Sequence, residues 1–292
     1  RKIPIPVNFN TIDIVFQDDK ARIFKENLLY EFGPNKKVPV LDLMKSSNIY
    51  VKEFAIWVYE KIFVNYTAKQ WGKKPHEIDP SVTARVPIYT GYDNRYFHDK
   101  YQFIPIDGYT SVFKKLLSNS LIEVKLNTDF RELIKIDFDK KEIYLNGIKF
   151  DGIFIFTGMI DELCNYVYGE LPYRTLDFEF KTFDVNFFQE AAIVNYPNDF
   201  NYTRITEFKH IHPSYTEKTT VAFEYPRKYK VGDIPYYPYF TDEAKNIYLK
   251  YREFIKDFNQ IILVGRLAEY RYYDMDDAIK RSLEVFNVDI NI

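Results

Sequence analysis

Residues 262–279, ILVGRLAEYRYYDMDDAI, hold the densest run of side chains able to do chemistry. A short apolar strand runs into Gly265 and Arg266, a loop of aromatic and charged residues follows, and Asp274, Asp276 and Asp277 open a helix. That order aims a guanidinium and a helix N-terminus at the carboxyl end of a strand. Unpaired first-turn N–H groups and the positive end of the helix dipole suit an anion, a phosphate or the electron-rich edge of a flavin ring. The carboxylates have a structural use as well, because Asp at a helix start caps orphan N–H groups. For Asp274 a capping role and a direct site role both stand.

A second stretch, NYTAKQWGKKP (65–75), ends a helical pattern with Tyr66 and Trp71 in a charged turn. Spacing alone reads these two rings as helix-end core. Other candidates are weaker. His210-Ile211-His212 could present two imidazoles on one strand face, but no carboxylate or Cys stands at ligand spacing, so they read as surface or sheet-packed histidines and no metal site is expected. Cys164 lies in an apolar helix without a nearby His and reads as a buried structural thiol. No catalytic triad pattern is present.

No two glycines are separated by one residue, so G-x-G-x-x-G is absent from the 292 residues, and no G-x-x-x-x-G-K occurs either. A formal net charge of -2 gives no general attraction to nucleic acid or anionic lipid. The single Cys excludes an internal disulfide and fits a reducing, cytoplasmic setting. No apolar run reaches the roughly 18 residues of a membrane span. Aromatic residues make up 18% of the chain, with 26 Tyr, which reads mainly as a Lys, Ile, Asn, Tyr and Phe codon bias and secondarily as material for a ligand site.

The elements that must position these residues follow from periodicity. Residues 1–11 read as an extended piece, and the chain from Ile12 to about Gly72 as mostly helical, with Val51, Phe54, Ala55, Val58 and Ile62 on one helix face. IEVKLNTDF (122–130), KEIYLNGIKF (141–150) and DGIFIFTG (151–158) read as strands, with Asn146-Gly147 as a hairpin turn. DELCNYVYG (161–169) reads as a short helix, and four strands are expected between Tyr173 and Tyr229, one of them YTRITEFKHI. Helices are expected at 241–257 and at 275–287, the latter with Ile279, Leu283 and Phe286 inward. The class is mixed α/β (α+β), with a helical insert and an antiparallel sheet.

At this point a resemblance becomes specific. YTAKQWG (66–72), ARVP (84–87), YDNRYFHDKYQFIPIDGYT (92–110), FTGMIDEL (156–163), YRTLDF (173–178), AIVNYP (192–197), YTRITEFKH (202–210), EYPRKYKVGDIPYYP (224–238) and GRLAEYRYYDMD (265–276) resemble, in order, the UDP-galactopyranose mutase family. The resemblance implies a flavoenzyme that interconverts UDP-galactopyranose and UDP-galactofuranose. Reduced FAD attacks the anomeric carbon through N-5, UDP leaves, the sugar ring opens on the flavin adduct and recloses, and no net redox change occurs.

The resemblance also implies roles for residues. Tyr66 stacks on uracil, with Phe63, Thr67 and Trp71 completing the pocket. Arg85 and Arg204 clamp the diphosphate. Tyr96, Tyr237 and Tyr272 donate hydroxyls to it, and Asn195 and Asp274 lie near the sugar or nucleotide. Arg266 and the helix start at Met275, Asp276, Asp277, Ala278, Ile279 and Lys280 serve FAD. Arg95, Arg174, Arg227 and Arg271 carry no such role and are expected in solvent or in structural ion pairs.

Three parts are expected: a helical bundle at 12–84 with the uridine site, an antiparallel sheet domain from 1–11, 85–107 and 173–240, and pieces of a FAD-binding α/β domain at 108–172 and 241–292. Family members open with a glycine-rich FAD-binding segment that this sequence lacks, so the chain is expected to be a fragment that binds FAD weakly. The resemblance further implies a homodimer and a product used for a bacterial surface glycan, while the cytoplasmic location is expected from the cysteine usage. A mutase for another UDP-hexose, such as UDP-N-acetylgalactosamine, or a UDP-sugar-binding fragment without catalysis, are the alternatives.

Overall fold

Asn8 begins the first helix by a reciprocal cap: its side chain accepts from the Thr11 N–H while the Thr11 hydroxyl accepts from the Asn8 N–H, both at 3.2 Å. From there the computed structural model describes residues 1–72 and 86–289. The chain divides into two units, Arg1–Phe103 with Leu176–Lys228, and Ile104–Thr175 with Tyr229–Ile292.

In the first unit α1 (Phe9–Val15), α2 (Asp18–Phe32), α3 (Val40–Leu43) and α4 (Ile49–Val58) surround one apolar core. Val51, Phe54, Ala55 and Val58 are fully buried, as their spacing requires. The next turns, Tyr59–Val64, are a π-helix, which continues into α5 (Asn65–Trp71). A π-turn is wider than an α-turn, so the buried stripe moves on by one residue. Phe63 therefore takes the core position and Ile62 is only partly covered. Gly72, at φ 67°, ends α5 in the left-handed region. β1 (Lys37–Val38) pairs antiparallel with β2 (Ile88–Tyr89). Residues 1–8 form no strand; Val7 accepts from the Tyr89 N–H at 2.8 Å, and the helix starts at Phe9.

The sheet of this unit is built from β7 (Tyr173–Phe183, which begins in the second unit), β8 (Ile193–Asn195), β9 (Arg204–Glu207) and β10 (Thr219–Lys228), ordered β7-β10-β9-β8. β8–β9 and β9–β10 are antiparallel. Side-chain pairs Thr182–Thr220, Glu179–Tyr225 and Asp177–Arg227 run in opposite chain directions, so β7 and β10 are antiparallel too. β9 ends at Glu207, and Phe208–His210 turn into a 3-10 helix. The expected strand at 202–211 is therefore shorter. The fully buried Glu207 carboxylate explains the break: it accepts from the Phe188 and Gln189 N–H groups at 2.9 Å each and from the Thr219 hydroxyl at 2.6 Å.

In the second unit β6 (Phe154–Phe156) and β12 (Ile261–Leu263) pair in parallel, and β3 (Ile134–Asp137), β4 (Glu142–Leu145) and β5 (Ile148–Lys149) form an antiparallel meander. Asn146 and Gly147 make the expected tight turn, with φ of 51° and 80°. Residues 122–129 form no strand; they are exposed, and the strand lies later, at Ile134–Asp137, where β4 offers a partner. α6 (Gly108–Leu116) precedes them and α7 (Phe130–Leu133) leads into β3. α8 (Ile160–Leu163), α9 (Asp242–Ile255) and β11 (Tyr237–Pro238) complete the core around Tyr173, Tyr251 and Tyr270. Here the tyrosines serve as core rings with satisfied hydroxyls: Tyr251 donates to the Gly169 carbonyl at 2.6 Å, Tyr270 to that of Pro172 at 2.5 Å, and Tyr173 to the Asp161 carboxylate at 3.3 Å. Cys164 is buried, and burial pushes its thiol up to about 12, as fits an inert core residue.

The last helix, α10 (Met275–Asp289), departs from its expected facing. Ile279, Leu283 and Phe286 are 61%, 59% and 58% exposed, while Val285 is 2% exposed. An ion pair sets this phase: Arg281 Nε donates to Glu269 at 2.7 Å, turning the Arg281 and Val285 side of the helix toward its own unit. Among the described residues no helix is long and apolar enough to cross a membrane, and no group of three His, Cys, Asp or Glu could hold a metal ion.

Candidate functional site

In the first unit the register of the sheet brings three polar residues into one row. Asn195 pairs with Arg204 across β8–β9, and Arg204 pairs with Glu224 across β9–β10. Directly opposed residues share a sheet face, so all three project to the same side. Arg204 Nε donates to Glu224 Oε2 at 2.6 Å, a short charge-assisted bond that fixes the plane of the guanidinium. Glu224 is 4% exposed, and its Oε1 has no hydrogen-bond partner among the described residues. A buried carboxylate oxygen left in that state is costly unless a ligand donor reaches it. The periodicity of EYPR did not single out Glu224; pairing it with an Arg twenty residues earlier requires the strand register.

α5 carries the other expected residues of this unit. Tyr66 is half-buried, Thr67 is buried, and Phe63 is 7% exposed within the helical core. The Trp71 side chain and all of Arg85 lie outside the described residues. Tyr96 stands in an exposed loop, its ring edge-on to Phe97 at 4.9 Å. Four ties join α5 and the π-helix to the turn after β8. Asn65 Nδ2 donates to Asn198 Oδ1 at 2.7 Å, Lys69 Nζ donates to the Tyr196 carbonyl at 2.7 Å and also to the Asn198 carbonyl, and Asn198 Nδ2 donates to the Lys61 carbonyl at 3.4 Å.

In the second unit β12 ends at Leu263; two residues on, Gly265 has a φ of 97°, one that side chains rarely adopt, and the chain turns into the Arg266 loop. Arg266 lies 4.4 Å from the Tyr272 ring centre and 5.7 Å from that of Tyr237, and those two rings stack 6.3 Å apart at an interplanar angle of 9°. Its guanidinium also donates to the Tyr273 carbonyl at 2.6 Å and the Tyr236 carbonyl at 3.1 Å. Glu269, which sequence reasoning passed over, accepts from the Gly265 N–H at 2.9 Å and from Arg281, and so locks the strand end to α10. Asp274 caps α10 through its carbonyl, which accepts from the Ala278 N–H at 3.0 Å, and Asp277 reaches back to the Asp274 N–H at 3.4 Å. Met275, Asp276, Ile279 and Lys280 are exposed, and Lys280 pairs with Glu284 at 4.0 Å.

The remaining expectations resolve simply. Arg95 pairs with Asp93 at 2.6 Å, Arg227 with Asp177 at 2.8 Å, and Arg271 lies over the Tyr273 ring at 5.3 Å. Arg174 is buried rather than solvated, and burial draws its guanidinium below the ordinary value. His210 sits on the 3-10 turn, its Nε2 at 2.9 Å from the Gln189 carbonyl and its ring against Phe187 at 4.5 Å, which gives it a packing role.

The chain has a mixed helix and sheet fold, with a guanidinium–carboxylate row on the antiparallel sheet of the first unit and a guanidinium after a parallel strand in the second. The comparisons agree with it. A crystal structure of reduced UDP-galactopyranose mutase superposes with a TM-score of 0.57 at 12% identity, covering 88% of this chain and 68% of that one, a likeness of fold. The family model described as UDP-galactopyranose mutase matches residues 61–272. The dTDP-fucopyranose mutase of Escherichia coli is 34% identical over 282 residues, 96% of this chain and 72% of that protein. The probable UDP-galactopyranose mutase of Klebsiella pneumoniae is 33% identical over 287 residues, and the UDP-galactopyranose mutase of Mycoplasma genitalium 30% over 292. The chain belongs to the UDP-galactopyranose mutase family, and membership supports a sugar-nucleotide mutase, an isomerase, as its class of activity.

Proposed function

We propose that this chain serves in the interconversion of the pyranose and furanose forms of a hexose carried on a pyrimidine nucleoside diphosphate, with UDP-galactose as substrate and reduced FAD as cofactor. The observation that carries the reading is the Asn195–Arg204–Glu224 row, a pre-aligned guanidinium beside a buried carboxylate oxygen. The row lies within the 61–272 family match.

The residues of the second unit fit one edge of a flavin. Arg266 is held by two carbonyls and two rings, and the first turn of α10 offers N–H groups at Met275, Asp276 and Asp277 that helix geometry leaves without an intrahelical acceptor. Ala278, Ile279 and Lys280 continue that end. When bound, reduced FAD supplies a nucleophilic nitrogen for the anomeric carbon, with no net redox change.

The chain's own residues bind and orient. Tyr66 stacks on the base, with Thr67, Phe63 and Trp71 around it. Arg204, together with Arg85, neutralises the diphosphate as it leaves, the point where charge develops. Glu224 keeps the Arg204 fork from rotating, and its Oε1 accepts a hydroxyl of the sugar. Tyr96, Tyr237 and Tyr272 donate to the diphosphate, and Asn195 and Asp274 meet the sugar or nucleotide. The 12–84 bundle carries the base site. A homodimer and a cytoplasmic location belong to the same reading.

The 34% identity to a dTDP-fucopyranose mutase over 96% of the chain supports a second reading, a dTDP-linked deoxyhexose. Both are tested by supplying the protein with dithionite-reduced FAD and, in parallel, UDP-galactofuranose, UDP-N-acetylgalactosamine and dTDP-fucofuranose, and separating products by anion-exchange chromatography. Conversion of UDP-galactofuranose above the others supports the first reading, and preference for the dTDP sugar moves it to the second. Absence of turnover with tight UDP binding leaves a UDP-sugar-binding module.

A further inference from the structure

The join between α5 and the turn after β8 has a use beyond packing. Asn65 and Lys69 are four residues apart, on one face of α5, and both reach the 196–198 turn. The return tie, from Asn198 to the Lys61 carbonyl, lands on the π-helix, where the wider turn displaces carbonyls from regular α-helical bonding. The Lys69 ammonium is partly withdrawn from water. Burial draws its pKa below the ordinary lysine value, against the pull of Asp199. An ammonium held this way against two carbonyl oxygens is a stiff strut, because moving off them would leave a desolvated charge unsatisfied.

The strut joins two functional pieces. On one side, Tyr66 and Thr67 share the short helix with Lys69. On the other, the turn it grips leaves β8 at Asn195 and returns as β9 at Arg204, its cross-strand partner. The distance between the helix and that pair is what a ligand with a base at one end and a diphosphate at the other must match.

We propose that Lys69 is a positioning residue that sets the spacing between the nucleobase platform on α5 and the diphosphate-binding row on β8 and β9. The inference rests on the reading that Tyr66 meets the base and Arg204 the diphosphate. It makes the site selective for ligands that span both, nucleoside diphosphates and their sugar esters, over either half alone. Lys69 touches neither substrate nor cofactor in this account; it acts through the two elements it ties.

The test separates the halves from the whole. UDP, uridine and pyrophosphate are each titrated against the full chain of the wild type, Lys69→Met and Lys69→Arg, UDP by calorimetry and the two fragments by ligand-observed NMR. In Lys69→Met, UDP affinity is expected to fall about tenfold, the scale of one lost charge-assisted bond. Uridine and pyrophosphate should each change less than about twofold, because each uses one element only. Lys69→Arg, which keeps the charge and reach, should recover part of the UDP loss. Unchanged UDP affinity in Lys69→Met, or a parallel loss of all three ligands, overturns the inference. A wild type that binds none of them overturns the underlying site reading itself, and is seen before any variant is compared. Should Lys69→Met fail to fold, Asn65→Ala loosens the same join from the exposed surface: a smaller split of the same kind supports the strut, and equal loss of all three ligands removes it.

Discussion

Glu224 holds Arg204 by one edge: Oε2 meets Nε at 2.6 Å, while Oε1 is buried and has no hydrogen-bond partner among the described residues. The pair therefore aligns a fork and keeps an acceptor in reserve. Glu224→Gln preserves shape but replaces a charge-assisted bond, and frees the fork to rotate. Bonds to charged groups contribute about 1.5–3 kcal/mol, so turnover is expected to fall roughly ten- to hundredfold. Nucleotide binding should change less, since most of the loss is in aligning the leaving group. Steady-state kinetics with reduced FAD and UDP binding measured alongside check this; turnover within twofold of wild type would make the pair a structural feature only.

For Arg204 itself, Arg204→Ala should be worse than Glu224→Gln, and Arg204→Lys should rescue only partly. An ammonium cannot present two parallel donors to phosphate oxygens, and cannot hold the Glu224 contact and the ligand from the same rigid plane. Equal activity of the Lys and Ala variants, or full activity of either, would contradict a fork-based clamp.

Tyr66→Ala distinguishes a base platform from a core ring. The base is remote from the reacting carbon, so its contacts act on substrate and transition state alike. The Michaelis constant should rise by the equivalent of about 1–3 kcal/mol of stacking while turnover at saturation stays close to unchanged. Tyr66 is half-buried, so a modest fall in melting temperature is compatible with either role. A large fall in melting temperature with unchanged UDP affinity would return Tyr66 to the core.

What the sequence disclosed and what it hid divide along physical lines. The buried stripe of α4 and the Asn146-Gly147 turn were legible because each is a local pattern with one geometric solution. The short strand before Gly265 was legible for the same reason, though its parallel pairing was not. The facing of α10 was not, because its apolar residues 279, 283 and 286 are balanced by an ion pair from Arg281 to a loop residue, Glu269, that no periodicity reveals. The strand expected at 122–130 carries the right residue types, but strand propensity is realised only where a partner stands, and β3 found one in β4. In the site, Tyr66, Asn195 and Arg204 came from a family resemblance, whereas Glu224 and Lys69 emerged only from register and from bonds spanning more than a hundred residues. Local rules place residues on elements; long-range pairing decides which of them meet.

Arg266 offers a check of the second unit alone. Its guanidinium is held by two carbonyls and lies against two stacked rings, so Arg266→Met keeps much of the apolar stem while removing the charge and both bonds. Loss of a cation beside the helix start should weaken retention of reduced flavin more than of oxidised flavin, because the reduced ring is the anionic one. Equilibrium dialysis of both redox forms against wild type and variant measures the difference. Equal loss of the two forms, together with a lowered melting temperature, would point to Arg266 as a brace for the loop.

Glu207 predicts the acid limit of the first unit. Burial works against its carboxylate, but the Thr219 hydroxyl and the Phe188 and Gln189 N–H groups outweigh it, with His210 adding to them, and the pKa lies below the ordinary 4.5. A depressed carboxylate stabilises the fold above its unfolded pKa, and that contribution is lost as pH falls through the folded value. Stability of the wild type should thus be level with respect to this group above about pH 5 and decline below the ordinary glutamate range. Glu207→Gln should flatten that limb, since an amide does not titrate. It should also cost about 1–3 kcal/mol at neutral pH, because an amide oxygen cannot accept all three donors and its NH₂ would face donors in turn. Urea unfolding of both proteins at pH 7 and at pH 4 decides it: the gap between them should narrow at the lower pH. A gap of the same size at both would show that the Glu207 charge contributes nothing to holding the end of β9.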